Sequence, residues 1–156
     1  MFTREELVYL RQQMLARLAT VDAVGQPTVD AVGFQFEGGQ FYIGGIDLAR
    51  SRKYRNIAAG NTQVSLIVDD VASMEPYQPR GIKVHGAAEI VSRQDGFFGE
   101  GEYFVITPRT SWSWGVIGPA FQEGRFAPHK IRWQVNEPAA SPTEEAQPEL
   151  QGTARE

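Results

Sequence analysis

The chain has 156 residues, 42% of them apolar and 22% charged, which is the composition of one ordinary globular domain rather than a fibre or a disordered polymer. It contains no cysteine, so a disulfide scaffold, a zinc-thiolate or iron–sulfur centre and thiol nucleophile chemistry are excluded together. The net charge of −4 belongs entirely to residues 137–156, where five acids meet one base; the first 136 residues hold fourteen of each sign.

In chain order, Thr3 precedes Glu6 at capping-box spacing, and Leu7, Leu10, Met14 and Leu18 recur every three to four residues. A first helix over about residues 3–16 is predicted. From Leu18 the pattern changes to β-rich stretches at 17–23, 28–36, 40–45, 63–69, 80–91, 102–107 and 129–135, with Gly25-Gln26-Pro27 and Glu37-Gly38-Gly39-Gln40 at hairpin distances. A second helix over about 48–59 should stop at Gly60-Asn61. So few helices among so many strands predict a small antiparallel barrel with one or two covering helices, a single domain over 1–136. Residues 137–156 hold three prolines, no aromatic residue and one leucine, too little apolar surface to offset ordering, and are expected to be an acidic flexible tail or a tail that docks a partner. No apolar run approaches the roughly 20 residues of a membrane span and the first residues lack the order of a secretory signal, so a soluble cytoplasmic protein is expected.

Charge is concentrated at one place. Arg50, Arg52, Lys53 and Arg55 put four cations into six residues at the start of the second helix, with no acid between Asp47 and Asp69. Guanidinium forks beside the Ser51 hydroxyl and a helix start make a candidate phosphate site; the alternative is a solvated basic face. The preceding strand Phe41-Tyr42-Ile43-Gly44-Gly45 favours the site, because its glycines let a ligand approach the backbone. The rest of the ordered region is charge-balanced and carries no nucleic-acid-binding signature, so nucleic acid is not the expected partner.

No Gly-x-Ser-x-Gly, no phosphate-binding Gly-Lys-Ser/Thr loop and no His-Glu-x-x-His occur. The two histidines, His85 and His129, cannot supply metal-ligand spacing, and His85 reads as a strand side chain paired with its neighbours.

Taken in order, Arg17-Leu18-Ala19-Thr20-Val21-Asp22, Val32-Gly33-Phe34, Phe41-Tyr42-Ile43-Gly44-Gly45, Ser51-Arg52-Lys53, Val64 to Asp70, Arg80 to Glu89, Ile106-Thr107-Pro108-Arg109, Ser113-Trp114-Gly115 and Ile131-Arg132-Trp133 resemble the flavin-binding split barrels related to pyridoxamine 5′-phosphate oxidase, in particular the branch that uses the deazaflavin coenzyme F420. The ordered set, covering nearly all of 15–135, carries the resemblance; no single element does. It implies a six- to seven-stranded antiparallel split β-barrel of Greek-key type with two or three short helices, and a homodimer with the coenzyme in a groove between subunits. By position Ser51, Arg52 and Lys53 inherit the phosphate, while Arg50 and Arg55 could meet a longer anionic tail such as the lactyl-oligoglutamate of F420, or be surface charge. The tricyclic ring is expected against Val32-Gly33-Phe34 and the Ile43-Gly44 edge. From the partner the resemblance implies the loop Met74-Glu75-Pro76-Tyr77 and the segment Arg109 to Trp114, whose alternative reading, for Trp112 and Trp114 especially, is interface packing.

The oxidase that forms pyridoxal phosphate has basic residues at the ends of its second barrel strand and a glutamine near the start of the long strand. Here those positions read Asp30, Phe34 or Gln35, and Gly81, and the acidic tail replaces its C-terminal substrate segment. Vitamin B6 oxidation is therefore not expected, and F420 is preferred to FMN. Asp95 to Gly101 and Val116 to Ala127 match no assigned pattern; Gly118-Pro119 and Gly124 suggest a mobile loop beside Trp114 that would set substrate choice. The resulting expectation is an F420H2-dependent reductase of an enone, a quinone, a bilin or a polycyclic natural product. Hydride comes from the coenzyme, so no catalytic dyad is required, and Tyr77 or water could deliver a proton. Two other readings stay open: an FMN-binding oxidoreductase, and a non-enzymatic flavin, bilin or haem binder of the same fold.

Overall fold

The computed structural model describes residues 1–134. Helix α1 covers Arg4–Gln12, and its capping box is complete: the Thr3 N–H donates to Glu6 Oε2 at 2.8 Å and the Glu6 N–H to Thr3 Oγ1 at 3.3 Å. The helix is shorter than its apolar repeat suggests. Gln13 is already extended, Met14 is 84% exposed, and Leu18 is buried because it belongs to a strand in which Ala16, Leu18 and Thr20 alternate inward.

The strands are β1 (Leu15–Val21), β2 (Pro27–Gly33), β3 (Gln35–Glu37), β4 (Gln40–Ile43), β5 (Gln63–Met74), β6 (Tyr77–Arg93), β7 (Gly101–Trp114), β8 (Phe121–Gln122), β9 (Arg125–Phe126) and β10 (His129–Arg132). A 3-10 turn over Leu48–Arg50 and helix α2 (Arg52–Ala58) separate β4 from β5. The main sheet runs β2-β1-β5-β6-β7-β4-β3 with β10 on β7, every pairing antiparallel, and it is not closed.

Eight strands stand where six or seven were expected, because the stretch 28–36 breaks at Phe34 into β2 and β3. The β5–β6–β7 ladder also reaches well past its apolar sequence. Its hairpin end, from Asp69 to Arg80, is held by backbone pairing and polar contacts instead of core burial. Val116 to Ala127, expected to be an irregular loop, contains the β8–β9 hairpin, with Glu123 and Gly124 at positive φ in its turn.

The core lies inside the curved sheet. Leu18, Phe41, Ile43, Leu66, Ile82, Val84, Phe104 and Ile106 are almost wholly buried, each contributing roughly 1.5–3 kcal/mol of transfer free energy. α2 covers one end through buried Ile57 and the Asn56 amide, which donates to Thr20 Oγ1 at 2.9 Å on β1. α1 is tied to the β5–β6 arm by Asp70, which accepts from Tyr9 Oη at 3.2 Å, Gln13 Nε2 at 3.1 Å and Arg80 Nε at 2.9 Å. Among the described residues no helix is long and apolar enough to cross a membrane.

Candidate functional site

The cation cluster lies on the turn that opens α2. Leu48 is buried and anchors the turn, Asp47 takes a left-handed conformation at φ 54, and Ser51 caps the helix. The Ser51 hydroxyl accepts the Tyr54 N–H at 3.2 Å and donates to the Leu48 carbonyl at 2.7 Å, so its proton is committed within the turn. Arg50, Arg52 and Arg55 are exposed. Lys53 is largely buried along its stem and its ammonium stands 4.0 Å from Asp30 on β2. The second helix expected over 48–59 is thus a 3-10 turn followed by α2, and it is the bend between them that gathers the charges.

Val32 and Ile43 point into the core, and Phe34 packs on Phe41 with centroids 5.9 Å apart. Gly33 at the end of β2 and Gly44 just past β4 both lie against Phe98. The space above this glycine pair is filled from within the chain: a Cβ on Gly33 would meet Phe98 Cζ at 3.3 Å, and one on Gly44 would meet Tyr103 Cε1 at 2.5 Å and Phe98 Cδ2 at 3.0 Å. Nothing in the sequence between Asp95 and Gly101 signalled that this turn folds back over the glycines.

A second constellation forms at the far end of the sheet. Met74, Pro76 and Tyr77 are exposed at the tip of the β5–β6 hairpin. Pro76 and Tyr77 share a cavity of about 600 Å³ with Arg80, Pro119, Ala120 and Phe121. Trp114 covers Gly81, its partner across the β6–β7 ladder, and packs on Phe126 at 5.6 Å. Arg109 does not join it: at the bulge opposite His85 and Gly86, Arg109 Nη1 donates to Gln63 Oε1 at 3.1 Å. Trp112 lies between Lys83 and Lys130, at 4.4 and 5.3 Å from its centroid, with His85 edge-on at 4.8 Å. Partial withdrawal from water, then the Lys83 charge, lowers the His85 pKa.

A third cleft of about 730 Å³, apolar and aromatic, opens between α1 and β3 and is lined by Phe2, Leu7, Leu10, Phe34, Phe36 and Trp133 among others. Of these only Phe34 was expected to bind the coenzyme; Phe2 and Trp133 come together from opposite ends of the described chain, with ring centroids 4.8 Å apart.

Residues 2–112 match the family described as pyridoxamine 5′-phosphate oxidase. The chain belongs to that family. Within the family, it is 39% identical over 122 residues, 75% of this chain and 85% of the other, to a 5a,11a-dehydrotetracycline/5a,11a-dehydrooxytetracycline reductase of Streptomyces rimosus subsp. rimosus. A solved F420 reductase is similar at TM-score 0.51 and 26% identity, covering 64% of this chain and 89% of that one. A conserved hypothetical protein from Mycobacterium tuberculosis shares the fold at TM-score 0.59 and 19% identity, over 80% and 94% of the two chains. This pyridoxamine 5′-phosphate oxidase family member is an oxidoreductase.

Proposed function

We propose that this chain is a reductase that delivers hydride from reduced coenzyme F420 to a conjugated polycyclic acceptor, with FMN as the second-choice cofactor. The observation that carries the reading is the α2 turn, where Arg50 and Arg52 reach solvent beside Lys53 in a stretch without acids from Leu48 to Val68. The similarity to a reductase of a tetracyclic substrate and to an F420 reductase supports the same reading.

The residues fit the anionic handle of such a coenzyme: two exposed arginines and a lysine stand within four residues on one bend, where each charge-assisted contact contributes about 1.5–3 kcal/mol. A ring lying directly on Gly33 and Gly44 fits less well, because Phe98 and Tyr103 already fill that space. Within one chain the tip Met74–Tyr77 and Trp114 share no described cavity with the α2 cations. The reading therefore includes a homodimer in which the tip of one protomer closes over the cations of its partner.

When bound, the reduced deazaflavin supplies two electrons together as a hydride on carbon. The chain's own part is to grip the anionic tail through Arg50, Arg52 and Lys53, with Arg55 behind them, and to keep water from the transfer. The acceptor gains the hydride at one carbon and a proton at the other end of its conjugated system. Tyr77, 56% exposed at the hairpin tip, or solvent beside it delivers that proton. Parallel fluorescence and absorbance titrations with F420 and FMN test the assignment. Tight F420 binding with turnover of F420H2 by a polycyclic enone is expected; retention of yellow FMN with no affinity for F420 would overturn it.

A further inference from the structure

The turn from β6 to β7 builds an aromatic plate. Tyr103, 1% exposed, accepts the Phe98 N–H at 2.9 Å and donates to the Gly99 carbonyl at 2.7 Å, so one buried phenol fixes the backbone on both sides of Phe98. Gly99 turns the chain at φ 89, and a Cβ on Gly96 would run into the Tyr103 ring. Phe98 rests on the backbone of Gly33 and Gly44, yet 56% of it stays exposed, and Phe97 packs on it with centroids 4.5 Å apart while itself 39% exposed.

Two adjacent phenyl groups left in water at the end of a stapled turn are a cost to a monomer and a seat for a flat ligand. The seat borders a cavity of about 180 Å³, lined by Phe98 and Tyr103 on one side and by Gly45, Leu48 and Ala49 of the α2 turn on the other. Three carboxylates, Asp47, Glu100 and Glu102, line the same cavity. Their field repels a polyanion, and the exposed arginines that attract one project from the turn's next residues. The lining of this seat is thus acidic where the neighbouring turn is basic.

We infer that Phe98, supported by Phe97 and held by Tyr103, is the stacking platform for the acceptor, and that the acceptor is a planar polycycle that is neutral or carries an amine. This rests on the reductase reading for the word acceptor; the platform itself is a property of the turn.

The full-length protein is titrated with 9-aminoacridine, a flat cation, with anthraquinone-2-sulfonate, a flat anion, and with F420. The wild type is expected to bind the acridine at least tenfold tighter than the sulfonate. Phe98→Ala and the bulk-preserving Phe98→Leu should each weaken acridine binding about tenfold, Phe98→Trp should retain it, and all three should leave F420 affinity within twofold. Glu100→Gln should narrow the acridine preference a few-fold. Circular dichroism melts establish that the variants fold, and Phe98→Leu keeps the glycine pair covered if Phe98→Ala does not. Acridine affinity indifferent to Phe98, a wild type that binds neither flat probe, or a preference for the sulfonate would overturn the inference. So would an F420 affinity that falls in step with the acridine, since the plate would then seat the coenzyme. Acridine binding that depends on Phe98 in a protein with no affinity for F420 or FMN would instead sink the reductase reading and leave the platform standing.

Discussion

Lys53 Nζ lies 4.0 Å from Asp30 Oδ2, with the lysine side chain 17% exposed, so β2 holds the innermost cation of the α2 turn in place. Removing Arg52 and Lys53 together by alanine substitution is expected to weaken F420 binding by roughly 100-fold or more, from two charge-assisted contacts of at least about 1.5 kcal/mol each. Asp30→Asn should tighten it a few-fold, because a partly exposed ion pair restrains the ammonium by about 0.2–1 kcal/mol. Fluorescence titration reads both; equal affinity in the double variant and the wild type would remove the cations from the site.

Asp70 gathers Arg80, Tyr9 and Gln13, and hydrogen bonding to Arg80 holds its carboxyl below the usual range. A carboxyl with a depressed folded pKa stabilises the protein above its unfolded value of about 4 and loses that contribution as pH falls below it. Asp70→Asn should therefore cost about 1–3 kcal/mol near neutrality, and its urea midpoint should approach that of the wild type as pH falls from 5 towards 2. Tyr9 acts at the other limit. Burial first, then the Asp70 charge, raises its pKa above 10, so its contribution is complete below about 10 and lost as pH rises further. A constant difference between the two proteins across the acid range would contradict the Asp70 assignment.

Gly115 has φ 65, and a Cβ there would run into the Pro79 carbonyl oxygen, a backbone atom that cannot yield. Gly115→Ala is expected to destabilise by about 2 kcal/mol or more. Gly118→Ala, three residues on in the same connection with nothing within 4 Å, should stay within about 0.5 kcal/mol of the wild type. Thermal melts of the pair separate backbone constraint from general intolerance of the connection to change.

Light scattering is expected to give twice the chain mass, because the proposed groove needs the partner's hairpin tip. Deleting that tip's aromatic ring by Tyr77→Ala should weaken F420 binding several-fold without changing the mass. A monomer that binds F420 as tightly as the bulk protein would exclude the shared groove.

Local chemistry was the legible part of this chain. The Thr3–Glu6 capping box and the Gly25 and Gly38-Gly39 turns at positive φ follow from contacts a few residues apart. The helical repeat misled as far as Met14, which lies exposed beyond the end of α1, whereas Leu18 belongs to the strand expected from residue 17. Asp69-Asp70 and Pro79 hid the hairpin arm for the opposite reason: its strands are paired where they are not buried. The cation cluster was visible as charge, whereas the fold of Phe98 over Gly33 and Gly44 joins three distant stretches and has no local signature. The tail expected over 137–156 lies outside the described residues.

The main sheet's two outermost ladder members, β2 and β3, are consecutive in sequence and joined through the single residue Phe34. The rim is therefore stitched by covalent bonds while its amides lack a ladder across the seam. Breathing there breaks no inter-strand bond, so hydrogen exchange should run fastest along this suture and slowest in β6, which has a neighbour on each flank. At this margin the molecule is fastened by chain continuity and side-chain packing in place of paired amides.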